Sequence, residues 1–175
     1  EYTEETKAIF FFFSKEHNAT IYFASDLISE NYPSALLGNY QIHNKKTVLQ
    51  TISVLQSQNQ FVIEEDQIRN GLLKVIENTG LQGRWQQLHE HPKVICDTAH
   101  NAAGLKSVMD QLHQEQYKHL HIVLGVVNDK DLTGILPLFP QNATYYFCKP
   151  NIPRGLEAAT LQEKPEDYHL LGAGY

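Results

Sequence analysis

The chain is short of the residues that mark several common protein classes. Among its 175 residues are two cysteines, one methionine and one tryptophan. Two cysteines cannot build the disulfide framework of a small secreted domain. Cys96 and Cys148 each sit in a short strand-like run and are expected to be buried free thiols. Positive charge is the scarcer sign, with 14 Lys and Arg against 20 Asp and Glu and a net charge of -6. That balance argues against a general nucleic-acid binder. It still allows anionic small molecules, because one Arg or Lys can hold a phosphate on an acidic protein. No apolar run approaches the roughly 18 residues of a membrane span; the longest cluster is AIFFFF, Ala8 to Phe13. A basic start with a cleavage-like site is also lacking, so no signal peptide is read. The expected setting is cytoplasmic, with neither membrane nor nucleic acid as partner. Glycine-rich phosphate loops of the G-x-G-x-x-G and G-x-x-x-x-G-K-[ST] types are absent, which lowers the case for a dinucleotide enzyme. His89 and His91 flank Glu90, but no further ligands at zinc spacing support a metal site.

What is present is ordinary globular material, 42% hydrophobic and 19% charged. Residues 4–17 predict a helix whose four phenylalanines cannot share one face; Ile9, Phe12 and Phe13 are expected in a core, with Phe10 or Phe11 facing elsewhere. IYFA, Ile21 to Ala24, predicts a short strand, and Asp26 to Leu37 an irregular stretch. Helices are expected near 42–57, with Val48, Leu49, Ile52 and Leu55 apolar, and near 65–78, with Ile68, Leu72, Val75 and Ile76 on one face. After Gly80 to Gly83 the rhythm changes. WQQLHEHPKVICD predicts two strands around a His-Pro turn, and residues 102–115 a helix with Leu105, Val108, Met109 and Leu112 inward. HIVLGVV predicts a strand covered on both faces. LTGILPLF predicts a short helix that Pro137 ends or kinks, and ATYYFCK another strand. The last helix is expected over 156–163, halted before Pro165, with a strand or turn in HLLGAGY. Alternating strand and helix predicts an α/β fold with a mainly parallel sheet. The expected division is residues 1–81, mostly helical, and 82–175, an α/β unit. The chain does not begin with Met and opens inside a helical pattern, so a fragment is expected.

Ligands of a parallel sheet gather at the carboxyl ends of its strands. The stretch Asp97 to Asn101 follows the strand VIC and precedes a helix. Asn101 suits an N-cap; His100 can donate to a phosphate oxygen, and Asp97 can accept from a ribose hydroxyl. The plainer alternative is that Asp97 is a turn residue and His100 a structural one. GVVNDKD, Gly125 to Asp131, again leaves an apolar strand for a helix, and two such exits side by side would form a crevice. Asp129 or Asp131 is otherwise a simple helix cap. Arg84, in GRW, carries a fork that fits phosphate, or is an ordinary surface arginine.

Taken together, GRW (Gly83 to Trp85), VICDTAHN (Val94 to Asn101), GVVNDKD, IPRG (Ile152 to Gly155) and LLGNYQIHN (Leu36 to Asn44) resemble the folylpolyglutamate synthase/dihydrofolate synthase family, within the Mur ligase group. The matched patterns are Gly-Arg, a strand and Asp-x-Ala-His-Asn; a glycine followed by Asp-Lys-Asp; Pro-Arg-Ala; and Leu-x-Gly-x-His-Gln-x-x-Asn. Tyr40 departs from the family's His, and Gly155 from its frequent Ala. The resemblance implies the tail of a central ATP-binding domain followed by a Rossmann-like C-terminal ligase domain. It implies ATP-dependent addition of glutamate to folate, through an acyl phosphate, with ATP and magnesium. Asn44 would contact adenine; Arg84, Asp97 and His100 would bind the nucleotide and serve catalysis. The partners would be folate or dihydropteroate, glutamate and ATP, the full-length protein a monomer. The Walker A loop and magnesium ligands would lie upstream of Glu1, so the 175 residues alone are expected to be inactive. The alternatives are a cell-wall Mur ligase and a non-catalytic nucleotide-binding module.

Overall fold

The computed structural model describes residues 2–59 and 61–167. The HLLGAGY segment lies outside the described residues. Chain contacts gather into two compact units, residues 1–95 and 96–175. Among the described residues no helix is long and apolar enough to cross a membrane.

The first unit is mostly helical. Helix α1 spans Glu4–Glu16 and starts with a reciprocal cap. The Thr3 hydroxyl accepts from the Thr6 amide at 3.2 Å, and the Thr6 hydroxyl accepts from the Thr3 amide at 2.8 Å. Two of the amides that a helix start leaves unpaired are thereby satisfied. The expected burial of Ile9, Phe12 and Phe13 is not found: residues 9–13 are all exposed. Phe11 lies 5.3 Å from Phe23, because the segment after α1 folds back on that side. The strand expected at Ile21 to Ala24 is also absent. Those residues are extended only as far as Phe23 and lead into the one-turn helix α2, Ala24–Leu27. A strand needs a ladder partner for its amides, and none of the described strands pairs there.

Helix α3 spans Gln41–Ser57 and buries Gln41 and Leu49. The next helix is interrupted, α4 over Glu65–Leu73 and α5 over Val75–Thr79, with non-helical Lys74 between them. Gly80 ends α5 at φ 67°, a left-handed cap that suits glycine. Strands β1, Gln86–His89, and β2, Val94–Cys96, pair as a two-stranded sheet.

The second unit is the α/β part. Helix α6 spans Ala102–Leu112, with Leu105, Val108, Met109 and Gln111 buried. Strand β3, His121–Leu124, runs parallel to β4, Thr144–Phe147, with Leu124 opposite Phe147. Between them lie the short helix α7, Leu132–Ile135, and a 3-10 turn, Leu136–Leu138, that contains Pro137. Helix α8, Ala158–Asp167, packs on β4. Its backbone passes through Pro165 instead of stopping before it; the proline removes one backbone hydrogen bond, a loss a final helical turn can absorb. The core joins α6 to Ile135, Leu136, Phe139, Tyr145 and Leu161. Tyr145 is 1% exposed and donates its hydroxyl to the Pro140 carbonyl at 2.5 Å. Burial pushes the phenol far above its ordinary pKa.

Three expectations need correction here. β3 is covered on one face only: Val123 is 72% exposed and shares the open face with His121 and Tyr146. β2 does not belong to the parallel sheet; it pairs with β1 across a four-residue connection. Closing so short a loop costs little chain entropy. The cysteines are free but not buried. Cys148 lies just beyond β4 and is exposed, and Cys96 is partly exposed.

Candidate functional site

Asp97 leaves β2 and turns the chain at once. Its Oδ1 accepts from the Ala99 amide at 2.8 Å, a side-chain turn of the kind aspartate favours. His100 is exposed, and its Nδ1 lies 3.1 Å from the Thr98 carbonyl. A carbonyl only accepts, so Nδ1 carries the proton and Nε2 faces outward. Asn101 caps α6: its Oδ1 accepts from the Gly104 amide at 2.8 Å. Gly104 allows that approach, since a Cβ there would stand 3.2 Å from the Asn101 Oδ1. The loop thus uses one oxygen each of Asp97 and Asn101 to hold itself open, and presents the imidazole. Asp97 and His100 are brought together on this one loop.

The exits of β3 and β4 are also joined. Asp131 is the cap of α7, accepting from the Thr133 amide at 3.0 Å and its hydroxyl at 2.5 Å. The Thr133 hydroxyl holds its carboxyl below the usual carboxylate range against the opposing effect of burial, with the Thr133 and Gly134 amides adding to it. Asp129 is not a cap; it receives Arg154 Nη1 at 3.1 Å. The Asp-Lys-Asp and Pro-Arg segments therefore meet, a pairing that nothing in their sequence spacing announces.

Arg84 stands in the first unit between two residues with left-handed backbone, Gly83 at φ 68° and Trp85 at φ 49°. A bulky side chain in that region is uncommon and costs about 1–3 kcal/mol. Trp85, only 5% exposed, is held there by its burial. The Gly83 amide donates to Gln86 Oε1 at 2.9 Å, and Arg84 Nη1 donates to the Gly83 carbonyl at 3.1 Å. Arg84 is half-buried on this turn. Trp85 as the anchor of this turn went unread in the sequence, although a lone tryptophan after Gly-Arg was the available sign.

Asn44, also in the first unit, is exposed on the first turns of α3. Its Nδ2 donates to Gln41 Oε1 at 2.9 Å, and Gln41 is only 4% exposed. Gly38 is close beneath Tyr40: a Cβ there would stand 2.7 Å from the ring. The buried Gln41 orients Asn44, a role the motif spacing did not reveal. Among the described residues no group of three or more His, Cys, Asp or Glu side chains is placed to hold a metal ion.

The Mur ligase, glutamate ligase domain family matches residues 83–171. The chain belongs to the Mur ligase family. Within it, the similarity is to the folylpolyglutamate synthase/dihydrofolate synthase enzymes. A probable bifunctional folylpolyglutamate synthase/dihydropteroate synthase of Haloferax volcanii is 32% identical over 126 residues, covering 72% of this chain and 14% of that protein. The solved structure of E. coli FolC in complex with ADP, without folate substrate, superposes with a TM-score of 0.64 at 26% identity, covering 83% of this chain and 32% of that one. A bifunctional folylpolyglutamate synthase/dihydrofolate synthase with Mn, AMPPNP and L-glutamate bound superposes at a TM-score of 0.57 and 27% identity, covering 83% and 32%. The chain thus spans a third or less of the length of these relatives. The α/β fold with its parallel strand pair is that of the Mur ligase neighbours.

Proposed function

We propose that the protein containing this chain adds glutamate to a folate in an ATP-dependent carboxylate–amine ligation, and that residues 82–175 form its ligase domain. The observation that carries the reading is the Asp97–Asn101 loop, an Asp-x-Ala-His-Asn motif held open at the start of α6 within the family match. Relatives bound to ADP, or to AMPPNP with Mn and glutamate, support the substrate classes. In the proposed reaction a folate carboxylate takes the γ-phosphoryl group of ATP. The glutamate amine then attacks the acyl carbon, an amide forms, and phosphate leaves with the activated oxygen.

Phosphoryl transfer depends on positioning and charge neutralisation more than on covalent help from the protein. Arg84, always charged, is assigned to nucleotide phosphates, with its fork directed by the Gly83–Trp85 turn. Asp97, its carboxylate oriented by the Ala99 amide, is assigned to the nucleotide as well. His100 presents Nε2, which accepts a proton when the ring is neutral and donates to an oxyanion only as imidazolium. Asn44, steadied by Gln41, is assigned to the adenine edge, where its amide can both donate and accept. A divalent cation, magnesium in this proposal, would neutralise phosphate charge. The described residues do not offer it a group of three or more His, Cys, Asp or Glu ligands.

The test is ADP and product formation by the full-length polypeptide that contains this chain. Folate or dihydropteroate, glutamate and ATP should give ADP and a glutamylated product. Turnover only with a cell-wall peptide precursor would move the protein to the other branch of the family. Absence of turnover with either would leave a nucleotide-binding module.

A further inference from the structure

β3 and β4 run parallel, so the chain leaving each turns away from the same end of the sheet. The two exits pass in near contact at Gly125, and the returning exit folds tightly on itself at Gly155. A Cβ on Gly125 would stand 2.9 Å from the carbonyl oxygen of Cys148, and one on Gly155 would overlap the Pro150 carbonyl oxygen. Beyond them the returning segment lies antiparallel to the outgoing one, with Val127 bridged to Gly155. The Leu156 amide donates to the Val126 carbonyl and the Asn128 amide to the Arg154 carbonyl, both at 2.9 Å. Backbone hydrogen bonds join the two segments at residues 126–128 and 154–156. Next to them Arg154 Nη1 donates to Asp129 Oδ2 at 3.1 Å, the two side chains being 62% and 51% exposed. An ion pair so exposed adds little to stability. It ties the returning segment to the loop that carries Lys130 and the α7 cap Asp131.

We propose that Asp129 and Arg154 are a positioning pair for the ligation, holding the 125–131 loop in its working orientation without either side chain touching substrate. The inference rests on the ligase reading. It is tested in the full-length polypeptide with Asp129→Asn, Arg154→Gln, Arg154→Lys and the double variant Asp129→Asn/Arg154→Gln. The readouts are glutamate-addition kinetics, melting, and amide hydrogen exchange over 125–131. A displaced reactive geometry costs rate steeply, so each neutral single variant should lose about tenfold or more in kcat. Melting should stay unchanged, and exchange in 125–131 should rise. The double variant should lose no more than the worse single, because both remove one interaction. Arg154→Lys should recover part of the rate. Losses that multiply would overturn the proposal. So would wild-type rates in the singles, or a raised KM for glutamate or ATP in Arg154→Gln alone. A wild-type protein without turnover would instead sink the ligase reading, while the exchange measurement would still read the pair.

Discussion

The Nδ1 of His100 stands 3.1 Å from the carbonyl oxygen of Thr98, and that contact fixes which ring nitrogen is available to a ligand. With the Nδ1 proton committed to the carbonyl, Nε2 is the only atom through which the imidazole can reach out. Because the side chain is exposed, its replacement should leave the fold unharmed. In the full-length protein His100→Ala is expected to lower ligation at least tenfold, the scale of one lost contact to developing charge. His100→Gln, whose amide nitrogen reaches close to the Nε2 position, should retain more activity than His100→Asn, which reproduces the Nδ1 position. The reverse order, with melting unchanged in both, would show that the outward nitrogen is not the one in use.

Two residues near the proposed site are expected to matter through stability. Asn101→Ala removes the side-chain acceptor for the Gly104 amide and should cost about 1 kcal/mol. Gly155→Ala forces a methyl group onto the Pro150 carbonyl oxygen, which the closed loop cannot easily yield. Its cost should be larger, on the order of 1–3 kcal/mol. Denaturant titration of each variant reads both values. A Gly155→Ala protein as stable as the parent would mean the 150–156 turn is looser than its hydrogen bonds imply.

The first unit should respond to acid through Asp26. Tyr2 donates its hydroxyl to Asp26 at 2.5 Å, and Lys7 Nζ lies 3.8 Å from the same carboxylate. The hydrogen bond from Tyr2 is the main cause that holds the Asp26 carboxyl below its ordinary pKa, with Lys7 adding to it against burial. A carboxylate depressed in the folded state stabilises it above the ordinary aspartate range, and the contribution fades as pH falls through the lowered value. Lys7 is shifted upward, chiefly by its bond to Tyr2, so its share is present at neutral pH and lost only above the ordinary lysine range. Asp26→Asn should lower stability slightly at neutral pH, the groups being exposed, and leave parent and variant alike in strong acid, so that the variant's acid limb is flatter. A parent and variant with superimposable profiles from neutral to strongly acid pH would remove this tie from the account.

Local patterns in the sequence determined most of the elements. The helical spacing of Leu105, Val108 and Met109 specifies the buried face of α6, and the alternation of apolar runs with polar exits specifies an α/β segment. Pro137 marks the end of α7, and Asp97 to Asn101 marks a loop opening a helix, because caps and turns are satisfied within a few residues. Tertiary structure decided everything that depends on a distant partner. Phe11 rather than Phe12 meets Phe23, since only the fold brings Phe23 back along α1. One face of β3 stayed open, because what covers a strand is a choice among separated segments that periodicity does not rank. Trp85 accepted a left-handed backbone for the sake of burial, and Arg154 found Asp129 across 25 residues. Short-range chemistry is written in adjacent residues; the long-range contacts that aim a side chain exist only once the chain has folded.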